Sequence, residues 1–379
     1  MVYSSARKTI IAAMLLCILL SIQYGVFSEP IHITDAAHRE VVLQGVPGRV
    51  VSLSPSITEI LVALGLRDNI VGVDSYSYND TYMDICNYFR SRNVVDVGGY
   101  WWSAVNVEKI IALDTDVVLA DLGAHYKLLD VFEENNITII YLHGGSASSI
   151  EDIYLDIDLV GRIFNVSKEK VDELINNISK NISRARAELA DYIGTKALVV
   201  VGFWNGIWVA GKGTFIDSLL QYIGLDNAVE TSGWSIVSIE EVASWDPDII
   251  IVTNMGYVDN ETLRKTGLLS LGKPIRILTL SETNLITRPG PRIGEAAEVI
   301  VNIIQATIQP KRLQYIVKTL TSTRTEKQIV TETHMLTTTE TYLTTINKIN
   351  GVFQAQYYWL VAGFSIILAV VVLYISRRR

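Results

Sequence analysis

Hydrophobic and polar residues follow one another along the chain in the order strand, turn, helix. The β-branched run that begins at Arg49 is broken by Pro55, and a helical pattern follows the proline. Ser56 and Glu59 have the spacing of a capping box at the start of that helix. The elements predicted after it are strands at 70–73, 117–120 and 138–142 and helices at 106–113 and 127–135. This alternation predicts a parallel α/β sheet.

The second half of the chain repeats the same alternation after a helical segment. Residues 149–193 contain almost no glycine or proline and have apolar positions at helical spacing, so a single long helix is expected there. The elements predicted after it are strands from 197, at 249–253 and at 275–278, and helices at 215–223, from 238 and at 293–306. The expected fold class is therefore α/β, with Rossmann-like lobes at 29–148 and 194–310 that contain parallel sheets and are joined by one long helix.

Two blocks in the two predicted lobes superpose without a gap: NVEKIIALDTDVVLAD from Asn106 and SIEEVASWDPDIIIVT from Ser238. Each block places a glutamate, Glu108 or Glu240, in the first turn of a helix after an N-cap residue. The helix dipole stabilises such a carboxylate by about 0.3–1 kcal/mol, so either glutamate alone has a purely structural explanation. Their matched positions indicate an internal repeat and a symmetric pair of exposed acids suited to docking on a two-fold partner with basic sockets.

Both ends of the chain carry apolar runs that predict export and membrane attachment. Residues 1–28 have the charged start and short apolar run of a signal peptide, with an uncleaved N-terminal anchor as the alternative. The uncharged run 357–375 would reach roughly 28 Å as a helix, and the basic tail 376–379 places its end in the cytoplasm. Residues 311–356 are rich in Thr and Ser and are predicted to be a stalk, with a short coiled coil as the alternative. We expect a single-pass cell-membrane protein with an extracellular binding domain.

Composition narrows the classes of partner and chemistry. The net charge of −8 and the pI near 5.3 give no basic surface for nucleic acid, so no nucleic-acid partner is expected. Cys86 is the one cysteine outside the first 28 residues, which leaves no internal disulfide after signal removal. The five histidines are scattered and predict no metal site, no catalytic triad and no cofactor. Glycosylation is predicted at the sequons of Asn79, Asn136, Asn165, Asn177, Asn181 and Asn260.

Aromatic residues crowd the loops that should follow the predicted strands. In open α/β sheets the carboxyl edge of the strands is where ligands bind. Any one of these rings could simply pack under its loop, but their recurrence in four loops, two in each lobe, predicts a cleft that stacks a large planar ligand. The residues concerned are Tyr76, Tyr78, Tyr100, Trp101, Trp102, Phe203, Trp204, Trp208 and Trp234.

Three segments resemble the class III periplasmic-binding family of cobalamin and ferric-siderophore importers, with the vitamin B12-binding type most similar. They are RVVSLSPSITEILVALGLRDNIVGVDSY, VGGYWWSAVNVEKIIALDTDVVLAD and TRPGPRIGEAAEVIVNII, and the resemblance runs from about residue 49 to 306. It implies two α/β lobes bridged by one long helix, with little hinge closure. It also implies that Glu108 and Glu240 engage arginines of the permease.

The resemblance further implies where the ligand lies. It places ring contacts at Tyr76, Trp102, Phe203 and Trp234 and a polar contact at Arg288. Three further aromatic residues, Tyr100, Trp101 and Trp204, extend the ligand-binding wall beyond the family pattern. Such walls and a positive Arg288 would also suit haem or a catecholate siderophore.

The function expected from these features is that of a non-enzymatic, membrane-anchored substrate-binding protein of an ABC importer. It would capture a corrinoid or a ferric-siderophore chelate between its lobes and deliver it to a permease that is driven by a cytoplasmic ATPase. The alternatives are a surface enzyme that processes a tetrapyrrole or metal chelate on the same fold, and a structural envelope protein. No catalytic cluster supports the first alternative, and the second leaves the aromatic cleft unexplained.

Overall fold

The computed structural model describes residues 29–80, 85–255 and 258–310. Its N-terminal half contains an antiparallel hairpin and a five-stranded sheet in which β3, β4, β5, β6 and β7 pair in parallel, in the order β5-β4-β3-β6-β7. The strands are β1 (Ile31–Thr34), β2 (Glu40–Leu43), β3 (Val50–Ser52), β4 (Ile70–Val73), β5 (Val95–Asp96), β6 (Val117–Asp121) and β7 (Ile139–Leu142). The helices are α1 (Pro55–Ala63), α2 (Ser75–Tyr78), α3 (Cys86–Ser91), α4 (Val107–Ile111), α5 (Leu122–His125) and α6 (Leu129–Glu134).

The parallel sheet predicted for this half is confirmed. Strands β3, β6 and β7 are continuous runs of mostly apolar residues, and every residue in them is buried. Such runs are typical of strands that are covered by helices on both faces. The hairpin β1–β2 was not predicted, because its four-residue strands alternate between buried and exposed positions too briefly to give a clear pattern.

The capping box predicted at Ser56 and Glu59 is wrong. Helix α1 begins at Pro55, and Ser54 is its N-cap residue without a side-chain capping bond. Proline is favoured at the first helical position because its fixed φ suits the helix and its missing N–H would have no partner there. Ser56 and Glu59 are both buried, and the Glu59 carboxylate pairs with arginines from the other half of the molecule.

Two helices connect the halves, α7 (Ile150–Ile163) and α8 (Lys168–Glu188), so the prediction of a single long helix over 149–193 is wrong. The chain turns at Asn165, whose φ of 50° lies in the left-handed region. Asparagine adopts this conformation more readily than most residues, and it ends helices for that reason. Ser167 then caps α8, where its hydroxyl accepts a bond from the Lys170 amide at 3.4 Å.

The C-terminal half contains a mixed sheet in the order β11-β9-β8-β12-β13, with β10 also pairing with β8. Its strands are β8 (Lys196–Gly202), β9 (Ile207–Ala210), β10 (Asp226–Asn227), β11 (Trp234–Val237), β12 (Ile249–Val252) and β13 (Ile275–Ile277). Its helices are α9 (Phe215–Tyr222), α10 (Ile239–Trp245), α11 (Asn260–Lys265), α12 (Leu280–Thr287) and α13 (Ile293–Thr307). The parallel sheet predicted here is confirmed for strands β8, β10, β12 and β13. Strand β9, which was not predicted, runs antiparallel to β8 and β11 and makes the sheet mixed.

One apolar core runs through both halves. The same cluster of buried residues includes Val50 of β3 in the N-terminal sheet, Ile157 of α7 and Val199 of β8 in the C-terminal sheet. Helix α13 lies along α8, where a Cβ on Gly294 would approach Asn181 Cβ to 2.9 Å. The two sheets are therefore joined by packed helices as well as by the chain itself.

Residues 29–80, 85–255 and 258–310 contain no helix that is both long enough and apolar enough to cross a membrane. The predicted signal peptide (1–28), stalk (311–356), transmembrane helix (357–375) and basic tail (376–379) lie outside the described residues. They stay predictions.

Candidate ligand-binding cleft

The loop that follows β5, residues 98–105, holds three aromatic side chains at the carboxyl edge of the N-terminal sheet. We call it the aromatic loop. Its ends meet at a bridge between Gly98 and Val105, and a Cβ on Gly98 would collide with the Ala104 carbonyl. Gly98 also has a φ of 112°, so only glycine fits without strain. The tight closure presents Trp101 and Trp102 to solvent, with 62% and 41% of their surface exposed.

Tyr100 fixes this loop to the rest of the half. Its hydroxyl donates to Asp121 Oδ2 at 2.6 Å, and its ring meets the rings of Trp101 and His125 edge-on at 5.4 and 5.6 Å. Burial raises the pKa of the Tyr100 phenol well above its ordinary value, so the hydroxyl stays a donor. Burial likewise lowers the pKa of His125 to about 4, and the imidazole beside Tyr100 is neutral.

Asp121, at the end of β6, ties the aromatic loop to the loop that follows β7. Its carboxylate is fully buried and also accepts from the amides of Gly123 and Gly145, at 2.9 and 2.5 Å. A Cβ on Gly144, whose φ is 51°, would collide with this carboxylate, so the loop after β7 can approach only because a glycine stands there. Burial raises the pKa of Asp121, and these hydrogen bonds act against that rise.

Trp234, at the start of β11, connects the C-terminal half to the same group of loops. Its indole Nε1 donates to the Gly145 carbonyl at 3.1 Å, and its ring lies 5.8 Å from that of Phe215. The Trp234 side chain is still 38% exposed. Aromatic residues of the two halves, Tyr100 and Trp234, are therefore linked by one chain of hydrogen bonds through Asp121 and Gly145.

Tyr76 lies on α2, next to the aromatic loop. The Asp74 carboxylate caps this helix by accepting from the Tyr76 amide at 2.9 Å, and the Ser75 amide donates to the Gly98 carbonyl at 2.7 Å. The Tyr76 ring is 61% exposed. Burial raises the pKa of Asp74 to about 6, although hydrogen bonds from Ser77 and Tyr76 oppose the shift.

The two aromatic residues between β8 and β9 have different environments. Phe203 is half-buried and packs against the core on the outer side of the C-terminal sheet. Trp204 is exposed, and its carbonyl accepts the indole N–H of Trp208 at 2.6 Å. Asn205 and Gly206, both at positive φ, form the turn that brings Trp204 back over the sheet. Trp204 is thus open to solvent, whereas Phe203 packs on the core, and the predicted ligand contacts of both residues stay predictions.

Arg288 lies in a buried group of charges that we call the ionic cluster: Glu59, Asp80, Arg288 and Arg292. The Arg288 guanidinium donates to Glu59 Oε1 at 2.9 Å and to the Asp80 carboxylate, and Arg292 donates to Glu59 Oε1 at 2.5 Å. The side chains of Arg288 and Glu59 are only 11% and 2% exposed. The predicted ligand contact of Arg288 stays a prediction, and the structure shows its charge held by two carboxylates.

Glu108 and Glu240 occupy the first turns of α4 and α10, as the repeat predicts, and both are exposed. The Asn106 side chain caps α4 by accepting from Lys109 at 2.9 Å, and Ser238 caps α10 by accepting from Glu241 at 3.2 Å. The structure thus gives both glutamates the same local geometry. Their docking role stays a prediction.

Comparison with known proteins identifies the group to which this architecture belongs. The family model for the periplasmic binding protein matches residues 50–270. The chain belongs to the periplasmic binding protein family. It is 30% identical over 284 residues to the uncharacterized ABC transporter substrate-binding lipoprotein YvrC of Bacillus subtilis (strain 168), across 73% of this chain and 85% of that protein. The family resemblance seen in the sequence is confirmed.

Two further similarities extend the comparison. It is 25% identical over 294 residues to the cobalamin-binding protein of Halobacterium salinarum, across 74% of this chain and 75% of that protein. It also superposes on a periplasmic heme binding protein from Pseudomonas aeruginosa with a TM-score of 0.57 and 19% identity, covering 70% of this chain and 95% of that one. The second similarity shows the fold alone.

Several exposed side chains of this binding protein at the carboxyl ends of strands escaped the sequence reasoning. Met255 follows β12 and Leu280 follows β13, and both are exposed. Lys127 lies after β6, with its ammonium over the Trp102 ring. A position three residues after a strand is the signal that marks Met255 and Leu280, but the prediction considered only aromatic residues at such positions. Lys127 lies beyond α5, and no local sequence signal marks its place beside Trp102. The described part of the chain contains no group of three metal-ligating side chains.

Proposed function

We propose that this periplasmic binding protein is the extracellular, membrane-anchored substrate-binding subunit of an ABC importer. We propose further that it captures a corrinoid between its two halves. The observation that carries the proposal is the link between aromatic residues of both halves, Tyr100 and Trp234, through hydrogen bonds to Asp121 and Gly145. The names of the two sequence relatives support it, since one is an ABC transporter substrate-binding lipoprotein and the other binds cobalamin.

The chemistry of the cleft suits a large flat ligand. Aromatic side chains bury much apolar surface with little loss of conformational freedom, and Trp101, Trp102 and Trp234 are all partly open to solvent. Because hydrogen bonds hold the side chains of Tyr100 and Trp234 in place, we expect little reorganisation of these side chains on binding. A corrin ring fits this requirement, and the same walls also suit haem and a ferric catecholate.

Delivery and anchoring complete the proposal. Glu108 and Glu240, exposed in equivalent helical turns, are proposed to dock on basic sockets of the permease, which a cytoplasmic ATPase drives. The apolar run 357–375 is proposed to hold the binding domain at the membrane, where tethering raises its effective concentration near the permease. The exposed sequons, such as those of Asn136 and Asn165, are proposed to carry glycans on this outer surface.

A ligand titration tests the proposal. The full chain in detergent micelles is titrated with cyanocobalamin, haemin and a ferric catecholate while tryptophan fluorescence is followed. We expect cyanocobalamin to quench the emission saturably. We expect Trp102→Leu and Trp234→Leu to weaken binding at least about tenfold, since each removes an aromatic surface that the bound ligand would cover.

The matched control is Leu155→Ala, which removes an exposed apolar side chain from α7, away from the strand ends. This variant should bind like the wild type. Saturable quenching by haemin or the catecholate alone would replace the corrinoid with that ligand. The absence of saturable quenching by all three, or unchanged binding in both tryptophan variants, would refute the proposal.

A further inference from the structure

Lys127 is a cation that lies directly beside the aromatic loop. It belongs to the 3-10 turn of residues 126–128, which follows β6 and α5 at the carboxyl edge of the N-terminal sheet. Its Nζ lies 4.8 Å from the centroid of the Trp102 ring. A cation in this position is attracted to the ring face by the ring's quadrupole, which holds the ammonium near the wall without neutralising its charge.

In the described part of the chain, no carboxylate neutralises the charge of Lys127 in an ion pair. Within the described ranges no Asp or Glu forms an ion pair with it, whereas Lys168, Lys265 and Lys273 each pair with an acidic residue. Lys127 is also exposed. Other exposed lysines of the described residues, such as Lys180 and Lys212, also form no ion pair, so what distinguishes Lys127 is its position over the Trp102 ring beside the proposed ligand wall.

The other cation considered for the ligand, Arg288, has the opposite environment. Two carboxylates hold its guanidinium, and its side chain is almost completely buried. Releasing it to a ligand would leave Glu59 and Asp80 as buried charges that have lost a partner, which is strongly unfavourable. Lys127 can turn toward a ligand at no such cost, and its ammonium has three N–H donors.

We propose that Lys127 is an anion-recognition residue of the cleft, which binds a phosphate or carboxylate group at the edge of a flat ligand stacked along the aromatic loop. This inference rests on the proposed function and adds a substrate class to it. The preferred ligand carries a negative group on its periphery, as a corrinoid with a nucleotide phosphate or a haem with propionates does. A macrocycle without such a group binds more weakly.

Two matched pairs of ligands test the inference on the full chain in detergent micelles. Cyanocobalamin carries a nucleotide phosphate and dicyanocobinamide does not; haemin carries two propionates and its dimethyl ester carries none. Each is titrated against the wild type, Lys127→Met and Lys127→Arg, with tryptophan fluorescence as the readout. Methionine keeps an unbranched apolar side chain against Trp102, and arginine keeps the positive charge.

In whichever pair of ligands the wild type binds, we expect Lys127→Met to weaken binding of the anionic member. The expected loss is about five- to tenfold, the size of one partly exposed charge-assisted hydrogen bond. The neutral member should be unaffected, and Lys127→Arg should bind like the wild type. The matched control is Lys168→Met on α8, an exposed lysine whose loss should change neither member. Added salt should weaken the anionic member in the wild type and have less effect in Lys127→Met.

Two outcomes overturn the inference and leave the proposed function standing. One is an equal loss for the anionic and neutral members in Lys127→Met, which would show that the lysine acts through packing. The other is an unchanged affinity of that variant for the anionic member. If the wild type binds no member of either pair, the proposed function fails and the inference fails with it.

Discussion

Two buried carboxylates, Asp121 and Asp74, determine the local geometry of the cleft. Asp121 accepts hydrogen bonds from the Tyr100 hydroxyl and the Gly145 amide, and Asp74 caps the helix that carries Tyr76. A carboxylate can accept hydrogen bonds from several donors at once. When these donors belong to different loops, the carboxylate holds the loops at fixed distances from one another. The positions of the aromatic rings therefore depend on side chains that need not touch the ligand.

Asp74 makes the stability of the fold depend on pH. Burial raises its pKa from 3.8 to about 6, so between these values the folded protein holds a proton that the unfolded chain has released. The stabilisation from the protonated form is fully present below about pH 3.8 and is lost as the pH rises through 6. The slope for this one proton is at most about 1.4 kcal/mol per pH unit.

Asp74→Asn is expected to remove this dependence while its side-chain oxygen still accepts the Tyr76 amide. The free energy of unfolding is measured by urea titration at about pH 4 and about pH 6.5. Its decrease between these two pH values should be smaller in the variant than in the wild type. Asp191→Asn, at an exposed turn, serves as the control and should keep the wild-type dependence. Equal dependence in Asp74→Asn and wild type would show that Asp74 is not the group responsible.

At the scale of elements, the ionic cluster joins α1 to the segment between α12 and α13. Glu59 comes from the N-terminal half, and Arg288 and Arg292 come from the end of the C-terminal half. Buried opposite charges of this kind add little compared with well-packed apolar residues, but the loss of one partner is strongly destabilising. The cluster therefore fixes how the two elements meet.

Glu59→Gln is expected to lower the free energy of unfolding by about 3 kcal/mol or more, because two buried guanidinium groups lose a shared counter-charge. The measurement is urea denaturation of the variant and the wild type at neutral pH. Glu261→Gln breaks an exposed pair with Lys265 and should cost less than about 1 kcal/mol. A similar, small effect of both substitutions would mean that the ionic cluster does not hold these elements together.

The elements that the sequence predicted best are those with buried β-branched runs, such as β6 and β12, since burial on both faces leaves an unambiguous pattern. The break between α7 and α8 was missed because asparagine is tolerated inside helices, and only its φ of 50° shows that the helix ends. Strand β9 was missed altogether, because its four residues, which stand between two glycines, are too few to give a clear strand pattern.

The candidate site could be predicted where it depends on local sequence. Trp102 was recognisable because it lies in the loop after β5, and sheet topology places strand ends at one edge. Trp234 was expected in such a loop, but it is the first residue of β11, and only the folded chain shows its contact with Gly145. The pairing of Glu59 with Arg288 could not be predicted, because 229 positions separate the two residues and each has a plausible local role. The contact of Lys127 with Trp102 likewise depends on two loops whose approach only the folded chain shows.

At the scale of the whole molecule, the repeat places one exposed glutamate on each half. Glu108→Lys combined with Glu240→Lys is expected to abolish ligand uptake and to leave ligand binding unchanged, because the substitutions reverse the docking charges and lie outside the aromatic loop. Uptake into cells and tryptophan fluorescence titration measure the two effects separately. Glu261→Lys, at another exposed helix start, should preserve both, and uptake that survives the double reversal would contradict the docking role.

The hydrogen bond from the Trp234 indole to the Gly145 carbonyl crosses from the C-terminal half to the N-terminal half. An indole has a single N–H donor, so a change in the distance between the halves stretches or breaks this bond. The same two halves carry Glu108 and Glu240, and the bond therefore acts against changes in the separation of these two glutamates. If both glutamates dock at once, a narrower range of separations means that fewer encounters with the permease fail because the second contact is out of reach.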